Sequence, residues 1–315
     1  MSDWQQVSLD GARVDGLAQN VQGVLAWGEL NGRPYAAEVA PDGTVLVADL
    51  PGTGPVTSAT FNEYYELVVG TPPVHLYGGM PESSATEERF EVPDWTVVRA
   101  PRRLWVGCGD EDPMYVVADE HGELTGVDPG VGVAGPPSGI FLAGDVDSAR
   151  LLVAGGEIGI RIAGRLRDRH GEESWQSWTC WGVEEATGGP DWERNVLEPV
   201  PSALTDLVEG FEPITAGHRD LRPLVWRSDG TPIDLPDVTL DPAYPMVSVA
   251  NRHQEDPVSL AVQSPAGPQL WTVGGNEWSS VELPMGHLVL ARRDLESPER
   301  VWVVIDGSLW TATTG

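Results

Sequence analysis

Short apolar stretches separated by polar turns run along the whole chain, and helical periodicity is scarce. Val, Leu, Ile and Trp occur in brief runs bounded by Gly, Pro, Asp and Asn, a pattern typical of β-strands joined by turns. One stretch, residues 202–210, instead has the spacing of a helical turn or two. The pattern predicts an all-β protein built from many short strands.

The predicted strands recur as a unit. Each unit is an apolar strand ending in a small residue, a polar turn and a second apolar strand. Seven copies in 315 residues give roughly 45 residues per copy, the usual length of a four-stranded propeller blade. The second strands of the copies begin near Pro34, Val74, Leu104, Leu151, Leu224, Val258 and Val301.

The two ends of the chain complement each other. The last copy has a third strand around Trp310 and then the chain stops, whereas the segment around Trp4 has the same pattern as the outer strand around Trp278. A terminal strand that completes the last blade would close the ring and remove exposed sheet edges. We therefore predict a single domain, residues 1–315, folded as a seven-bladed β-propeller closed by its N-terminal strand.

The chain resembles the β-propeller superfamily over its whole length. Gly155-Gly156 and Gly274-Gly275 precede tryptophan-bearing strands and are similar to the glycine pairs of kelch repeats. The stretch from Asp168 to Trp175 resembles an Asp-box of the sialidase type, with one more residue between its Asp and its Gly. The resemblance implies a ligand site where the loops leading into the innermost strands ring the top face of the channel.

Charge restricts the partners. The chain has 48 acidic and 19 basic residues and a net charge of −29, and all the basic residues are arginine. The absence of lysine excludes a Schiff-base lysine and a P-loop lysine. A strongly acidic protein is a poor match for nucleic acid, which is bound through basic surfaces, and for anionic membranes. A protein partner or a small molecule is expected instead.

The cellular compartment is inferred from what the sequence lacks. No apolar run reaches the roughly 18 residues of a membrane helix, and the first residues have neither the basic nor the apolar region of a signal peptide. Cys108 and Cys180 lie in separate predicted strands without a C-x-x-C partner, so we expect free thiols. The sequence predicts a cytoplasmic monomer.

Polar residues that lead into the predicted innermost strands would converge on the channel mouth if the ring closes. Converging carboxylates suit calcium, which takes oxygen ligands, and a histidine beside a carboxylate suits acid–base chemistry. The same residues could equally be solvated loop positions that line a water-filled channel. The six positions are Glu63, Asp94, Ser138, Glu212, Tyr244 and His287. All except Ser138 are catalytic candidates, and no metal ligand set is assigned.

The longest interval between copies separates the fourth from the fifth. We interpret residues 184–210 as an insertion on the top face, because long loops on a rigid scaffold often carry function. It would act as a lid or a partner-contacting arm, or it would only cover blade edges. Its candidate binding residues are Asp191, Trp192, Glu193 and Arg194.

Two functions fit these features. The first is a non-catalytic binding propeller that recognises a protein or small ligand at its top face, for example by masking a basic partner, and needs no cofactor. The second is an enzyme, a lyase, hydrolase or cyclase, that acts at the channel mouth with or without calcium. The sequence contains no G-x-S-x-G nucleophile elbow and no zinc-hydrolase histidine motif, and it therefore favours the first function.

Overall fold

The structure is a computed structural model that describes residues 3–20, 23–48, 50, 52–61, 67–71, 74–78, 89–90, 95–99, 103–108, 113–127, 139–145, 151–156, 159–183, 190–208, 214–250, 258–274, 277–295 and 297–314. The elements along these ranges are β-strands, which confirms the predicted all-β class. No helix in the described ranges is both long and apolar enough to cross a membrane.

The strands are numbered in chain order. The first half of the chain forms β1 (Gln5–Gln6), β2 (Arg13–Asn20), β3 (Gly23–Leu30), β4 (Arg33–Val39), β5 (Val45–Ala48), β6 (Ser58–Phe61), β7 (Leu67–Thr71), β8 (Val74–Gly78), β9 (Arg89–Phe90), β10 (Trp95–Arg99), β11 (Arg103–Cys108), β12 (Pro113–Ala118), β13 (Leu124–Val127) and β14 (Phe141–Leu142). The second half forms β15 (Leu151–Gly156), β16 (Gly159–Arg167), β17 (Glu173–Val183), β18 (Pro190–Val196), β19 (Ala203–Val208), β20 (Ile214–Arg219), β21 (Arg222–Trp226), β22 (Val247–Val249), β23 (Ser259–Ser264), β24 (Gly267–Gly274), β25 (Glu277–Glu282), β26 (Leu288–Arg293), β27 (Arg300–Ile305) and β28 (Ser308–Thr313).

These strands form seven sheets, which we number in chain order. Sheet I is β2-β3-β4-β5-β9, sheet II is β6-β7-β8-β10, sheet III is β11-β12-β13, sheet IV is β15 and β14 on β16 followed by β17 and β18, sheet V is β19-β20-β21, sheet VI is β22-β23-β24-β25, and sheet VII is β26-β27-β28-β1. Five sheets have the four or more strands of a full blade, whereas sheets III and V have three among the described residues. The described residues therefore form five full blades and not the predicted seven.

Successive side chains of a strand point to opposite faces of its sheet, and sheet IV has tryptophans packed on both faces. On β17, Trp178 packs into a cluster with Trp105 of sheet III, while Trp175, three residues earlier, packs against Leu204 of sheet V. Trp175 and Trp178 thus fill the space on either side of sheet IV.

Buried apolar clusters connect neighbouring sheets around the molecule. They lie between sheets VII and I, I and II, III and IV, IV and V, V and VI, and VI and VII. The first strands of the sheets lie side by side, β11 against β6 between sheets II and III and β26 against β2 between sheets VII and I. Sheets packed face to face about a common axis are the architecture of a β-propeller.

The N-terminal segment forms the outermost strand of sheet VII. Gln5 and Gln6 pair with Thr311 and Trp310 of β28. The indole of Trp4 donates a hydrogen bond of 3.1 Å to the carbonyl of Glu282 on the outermost strand of sheet VI. Trp4 also packs against the cluster between sheets VI and VII, so this short strand touches two sheets.

The predicted order of strands within the sheets is correct in sheets VI and VII, where β22 and β26 come first, and wrong in others. The second strands predicted near Pro34, Val74 and Leu224 are β4, β8 and β21, each of which is the third strand of its sheet. The strands before them, β3, β7 and β20, are therefore second strands and not the predicted first strands. First and second strands are both apolar, so a hairpin pattern alone does not tell them apart. The shift matters because antiparallel neighbours begin at opposite faces of the ring.

The described part of the predicted insertion contains two strands joined by residues 197–202. Residues 190–196 are β18, the outermost strand of sheet IV, and residues 203–208 are β19, the first strand of sheet V. The helical turn expected over 202–210 is therefore wrong where the structure describes it. A β-bulge between Leu204 and Asp206 interrupts the two-residue alternation and produces a helix-like spacing of apolar positions.

Candidate functional site

The first strands of the sheets surround a central cavity of about 240 Å³. Residues from all seven sheets or the loops just before them line it. The lining residues are Asp15, Gly16, Leu17, Trp27, Thr57, Ser58, Ala59, Trp105, Leu151, Leu152, Val153, Thr205, Asp206, Leu207, Met246, Val289, Leu290 and Arg292.

Three of the first strands carry a β-bulge, and each bulge places one extra residue at this cavity. The extra residues are Asp15 on β2, Thr205 on β19 and Val289 on β26, and all three line the cavity. Bulges re-aim side chains and are common next to functional sites. The cavity wall is thus shaped by irregularities that recur in three sheets.

A buried ion pair forms one wall. The guanidinium of Arg292 donates two hydrogen bonds to Asp206, from Nη1 to Oδ2 at 2.8 Å and from Nη2 to Oδ1 at 2.9 Å. Both side chains are more than nine-tenths buried. Such a bidentate pair fixes orientation as well as charge.

Ser248 extends this network to a third first strand. Its hydroxyl donates to Asp206 Oδ2 at 2.5 Å and accepts the backbone N–H of Ala291 at 3.0 Å. Nη1 of Arg292 also donates to the carbonyl of Ala291 at 2.8 Å. The network therefore joins β19, β22 and β26 at the centre of the molecule, and its charges are matched inside it.

Gly16 gives Trp27 its place in the cavity wall. The two residues are cross-strand partners on β2 and β3. A Cβ at position 16 would lie only 2.0 Å from Cζ2 of the Trp27 ring, a distance that no packed carbon atoms adopt. Glycine is required here for close approach, and a larger residue would displace the indole.

Tyr244 and His287 contact each other. Their ring centroids are 5.2 Å apart at an interplanar angle of 60°. They lie two residues before the cavity-lining residues Met246 and Val289, where the chain enters β22 and β26. These two predicted catalytic candidates are thus brought together.

Asp306 holds the imidazole of His287. The distance from Nδ1 to Oδ1 of Asp306 is 3.0 Å, and the same carboxylate oxygen accepts the backbone N–H of His287 at 3.1 Å. Gly286 permits this contact, because its φ is +137° and a Cβ there would lie 2.3 Å from Oδ2 of Asp306. A histidine oriented through Nδ1 can exchange a proton or a hydrogen bond through Nε2.

Met285 completes what we call the rim patch, made of Tyr244, Met285 and His287. The methionine is 82% exposed and Tyr244 is 36% exposed, and the side chain of His287 is 65% exposed. An exposed methionine that is close in sequence to an exposed aromatic pair is typical of contact surfaces, since methionine adapts to varied partners.

The other predicted site residues are not brought to the rim patch within the described ranges. Glu63, Asp94, Ser138 and Glu212 lie outside the described residues. Trp192 is half-buried on β18 against the cluster that contains Trp178, and Arg194 is exposed and donates a hydrogen bond of 3.0 Å to Oε1 of Gln176. Glu193 is exposed on the same strand, and of Asp191 only the backbone is described. A binding role for these four residues stays a prediction.

Sequence reasoning missed the network and the methionine. Asp206 and Arg292 lie within apolar strands, where a charged residue indicates a buried ion pair. They are 86 residues apart in the chain, and only the packing of the sheets brings them together. Met285 stands in a Pro- and Gly-containing turn, a location that predicts exposure. The calcium expectation also stays a prediction: no group of three or more potential metal ligands occurs among the described residues.

The Asp-box-like stretch forms a turn closed by its aspartate. Oδ1 of Asp168 accepts the backbone N–H groups of His170 at 2.8 Å and Glu172 at 3.0 Å. Asp119 makes the same pair of bonds, to His121 and Glu123, in sheet III. The shared D-x-H-G-E segments are therefore structural turns between second and third strands.

Asp168 provides a test of this turn. The backbone hydrogen bonds from Glu172 and His170 lower the pKa of Asp168 below its usual value, so the ionised carboxylate favours the folded state. Its contribution is present above the unfolded-state pKa of about 3.9 and is lost as pH falls through the lowered folded-state pKa. In urea unfolding, the stability advantage of the natural protein over Asp168→Asn should shrink between pH 7 and pH 3. Asp220→Asn, at a side chain that is 85% exposed, should show no such trend; an equal trend in both variants contradicts the role of Asp168.

No protein-family model matches the sequence, and no curated protein matches it. Solved structures do resemble the fold. The WD40 domain of Neurospora crassa Pan2 superposes with a TM-score of 0.61 at 13% identity, covering 99% of this chain and 96% of that chain. The β-propeller domain of Myceliophteria thermophila Cps50 (Swd1) superposes with a TM-score of 0.58 at 10% identity, covering 98% and 99%.

A third solved structure agrees with these two. The WD40 domain of Toxoplasma gondii coronin has a TM-score of 0.51 and 11% identity and covers 99% of this chain and 83% of that chain. At such low identity the similarity shows the fold alone. The β-propeller fold is established, and no specific family is.

Proposed function

We propose that this chain is a non-catalytic interaction propeller that binds a basic protein segment on the rim patch. The single observation that supports it most is Met285, which is 82% exposed and stands two residues before His287, whose ring contacts that of Tyr244. An exposed apolar group in the middle of a polar surface is a natural anchor for a partner side chain.

Charge indicates the chemistry of the partner. The chain has a net charge of −29, and the patch itself borders Asp306, whose side chain is 57% exposed. A protein with this charge repels acidic partners and attracts basic ones, mainly by raising the association rate at low salt. A segment with arginine or lysine flanking one apolar residue is the expected occupant, and masking that segment would be the outcome.

A peptide-display experiment on the full chain tests this function. We expect selected peptides to be enriched in basic residues around one apolar residue and to bind less tightly at 500 mM than at 50 mM NaCl. The double variant Tyr244→Ala/Met285→Ala should weaken a selected peptide at least tenfold in calorimetric titration, since aromatic and methionine anchors dominate interfaces. The matched control Val281→Ala removes another exposed apolar side chain (38%) from β25 and should change nothing. Peptides without basic enrichment, or equal binding by the two variants, would refute the proposal.

A second candidate is an enzyme, a lyase, hydrolase or cyclase, that acts at the channel mouth with or without calcium. The contact of 3.0 Å between His287 and Asp306 favours it, because a carboxylate that orients a histidine is a common acid–base arrangement. For this function His287→Ala would abolish turnover.

We further propose that the seven sheets form one closed ring and a single domain, with β1 as the closing strand. Support comes from the pairing of β1 with β28, from the contact of β26 with β2, and from the buried cluster shared by sheets VII and I. A closed ring fixes the first strands around the cavity and thereby fixes the rim patch above it.

A further inference from the structure

We propose that the central cavity binds a primary ammonium group, carried by a free small amine or by a lysine side chain of a partner. A free amine needs no protein partner to bind, so failure of this site and failure of the proposed function are distinguishable. The proposal depends on the size of the cavity, its charge and its aromatic lining.

Size limits the ligand. The cavity measures about 240 Å³, smaller than the roughly 300–1,000 Å³ of pockets for drug-sized molecules. Its walls are strands paired within sheets, with the Asp206–Arg292 network crossing three of them. A rigid space of this size suits a short chain with a compact polar head.

The charge of the cavity lining favours a positively charged ligand. Among the described residues, the charged ones that line the cavity are Asp15, Asp206 and Arg292, and Arg292 is compensated by Asp206 within the network. Both oxygens of Asp15 accept hydrogen bonds from Arg13, at 2.9 Å and 2.8 Å, and Glu29 contacts the same guanidinium at 3.3 Å, so two carboxylates face one guanidinium. The described residues on this side of the cavity therefore sum to a net negative charge, which favours a cation and opposes an anion.

Aromatic and hydroxyl groups favour an ammonium in particular. Trp27 and Trp105 both line the cavity, and the face of an indole attracts an ammonium more strongly than any other aromatic ring does. Thr57, Ser58 and Thr205 add oxygen acceptors to the same lining, which suits the three donors of a primary ammonium. The bulge at Asp15 places its carboxylate on the same strand as Gly16, over which Trp27 lies.

The test is a titration of the full chain followed by the indole N–H resonances in NMR. The probes are n-butylammonium chloride, the neutral 1-butanol and the anionic sodium butyrate. We expect n-butylammonium alone to shift the resonances of Trp27 and Trp105 in a saturable way, with Trp27→Phe and Trp105→Phe assigning the signals. Equal shifts with 1-butanol, or shifts confined to other tryptophans, would overturn the proposal.

Two variants test the carboxylate of Asp15 and the indole ring of Trp27 separately. Asp15→Asn should weaken n-butylammonium binding about tenfold, the loss of one charge-assisted contact, while the matched control Asp220→Asn leaves it unchanged. Gly16→Ala should also weaken binding by displacing Trp27 without changing any charge, and it keeps the proposal testable if Asp15→Asn folds poorly. Unchanged affinity in both cavity variants would overturn it.

Two further probes identify the source of the ammonium. The peptide Gly-Gly-Lys-Gly-Gly and its acetyl-lysine counterpart are titrated in the same way. Binding of the lysine peptide, lost on acetylation, supports a partner side chain as ligand. Binding of n-butylammonium without the lysine peptide supports a free small amine, and binding of neither overturns the site.

Discussion

Replacing Arg292 with alanine is expected to lower the free energy of unfolding by about 3–5 kcal/mol, because it leaves Asp206 charged and buried without its partner. Arg292 and Asp206 have side-chain exposures of 7% and 8%, so solvent compensates little of the loss. Asp206→Ala should cost a similar amount for the reciprocal reason. Urea unfolding at pH 7 measures both changes.

The double variant Asp206→Leu/Arg292→Met distinguishes an unpaired charge from lost packing. It removes both charges and keeps most of the volume, so it should be less destabilised than either alanine variant. The exposed pair of Arg219 and Asp220 provides the control, and Arg219→Ala should change stability by less than about 1 kcal/mol. If the double variant were the least stable of the set, the network would be stabilised by something other than charge pairing.

Replacing Trp302 with alanine is expected to cost about 3–5 kcal/mol, the usual loss for a buried tryptophan. Trp302 is fully buried in the cluster that joins sheet VII to sheet I. Its indole also donates a hydrogen bond of 3.3 Å to Oδ2 of the buried Asp294. Thermal and urea unfolding measure the loss. Trp302→Phe should cost only about 1–2 kcal/mol, since it keeps an aromatic six-membered ring in the cluster and loses the pyrrole ring with its N–H donor.

Trp226→Ala is the matched comparison for ring closure. Trp226 is equally buried, but it lies in the cluster between sheets IV and V, which follow each other in the chain. If sheets VII and I pack as tightly as any sequential pair, the two alanine variants should lose similar stability. A much smaller loss of stability for Trp302→Ala would mean that sheets VII and I pack loosely against each other, and it would contradict the closed ring.

The local pattern was sufficient to predict strands, turns and the two ends. The runs around Val247 and Leu288 are first strands as expected, and the Trp4 segment lies beside Trp310, because alternation and turn residues act over a few residues. The same pattern misplaced β3, β7 and β20 by one strand. Two apolar hairpins of one sheet look alike until their neighbours are known.

The candidate site was likewise predictable from the sequence only in part. Tyr244 and His287 were predicted from their positions before first strands, and they do meet, because both of those strands were assigned correctly. Met285 and the cavity wall were not predicted. Exposure of one methionine and convergence of residues from seven sheets depend on packing, which no short window of sequence contains.

By itself, the sequence determined that this protein is all β, strongly acidic and without lysine, since strand propensity and charge are properties of the residues themselves. Only the tertiary structure decided which strand comes first in each sheet, that Asp206 pairs with Arg292, and that the bulged residues of three strands share one cavity. Those choices depend on contacts between residues far apart in the chain, where burial makes an unmatched charge or a misplaced ring costly.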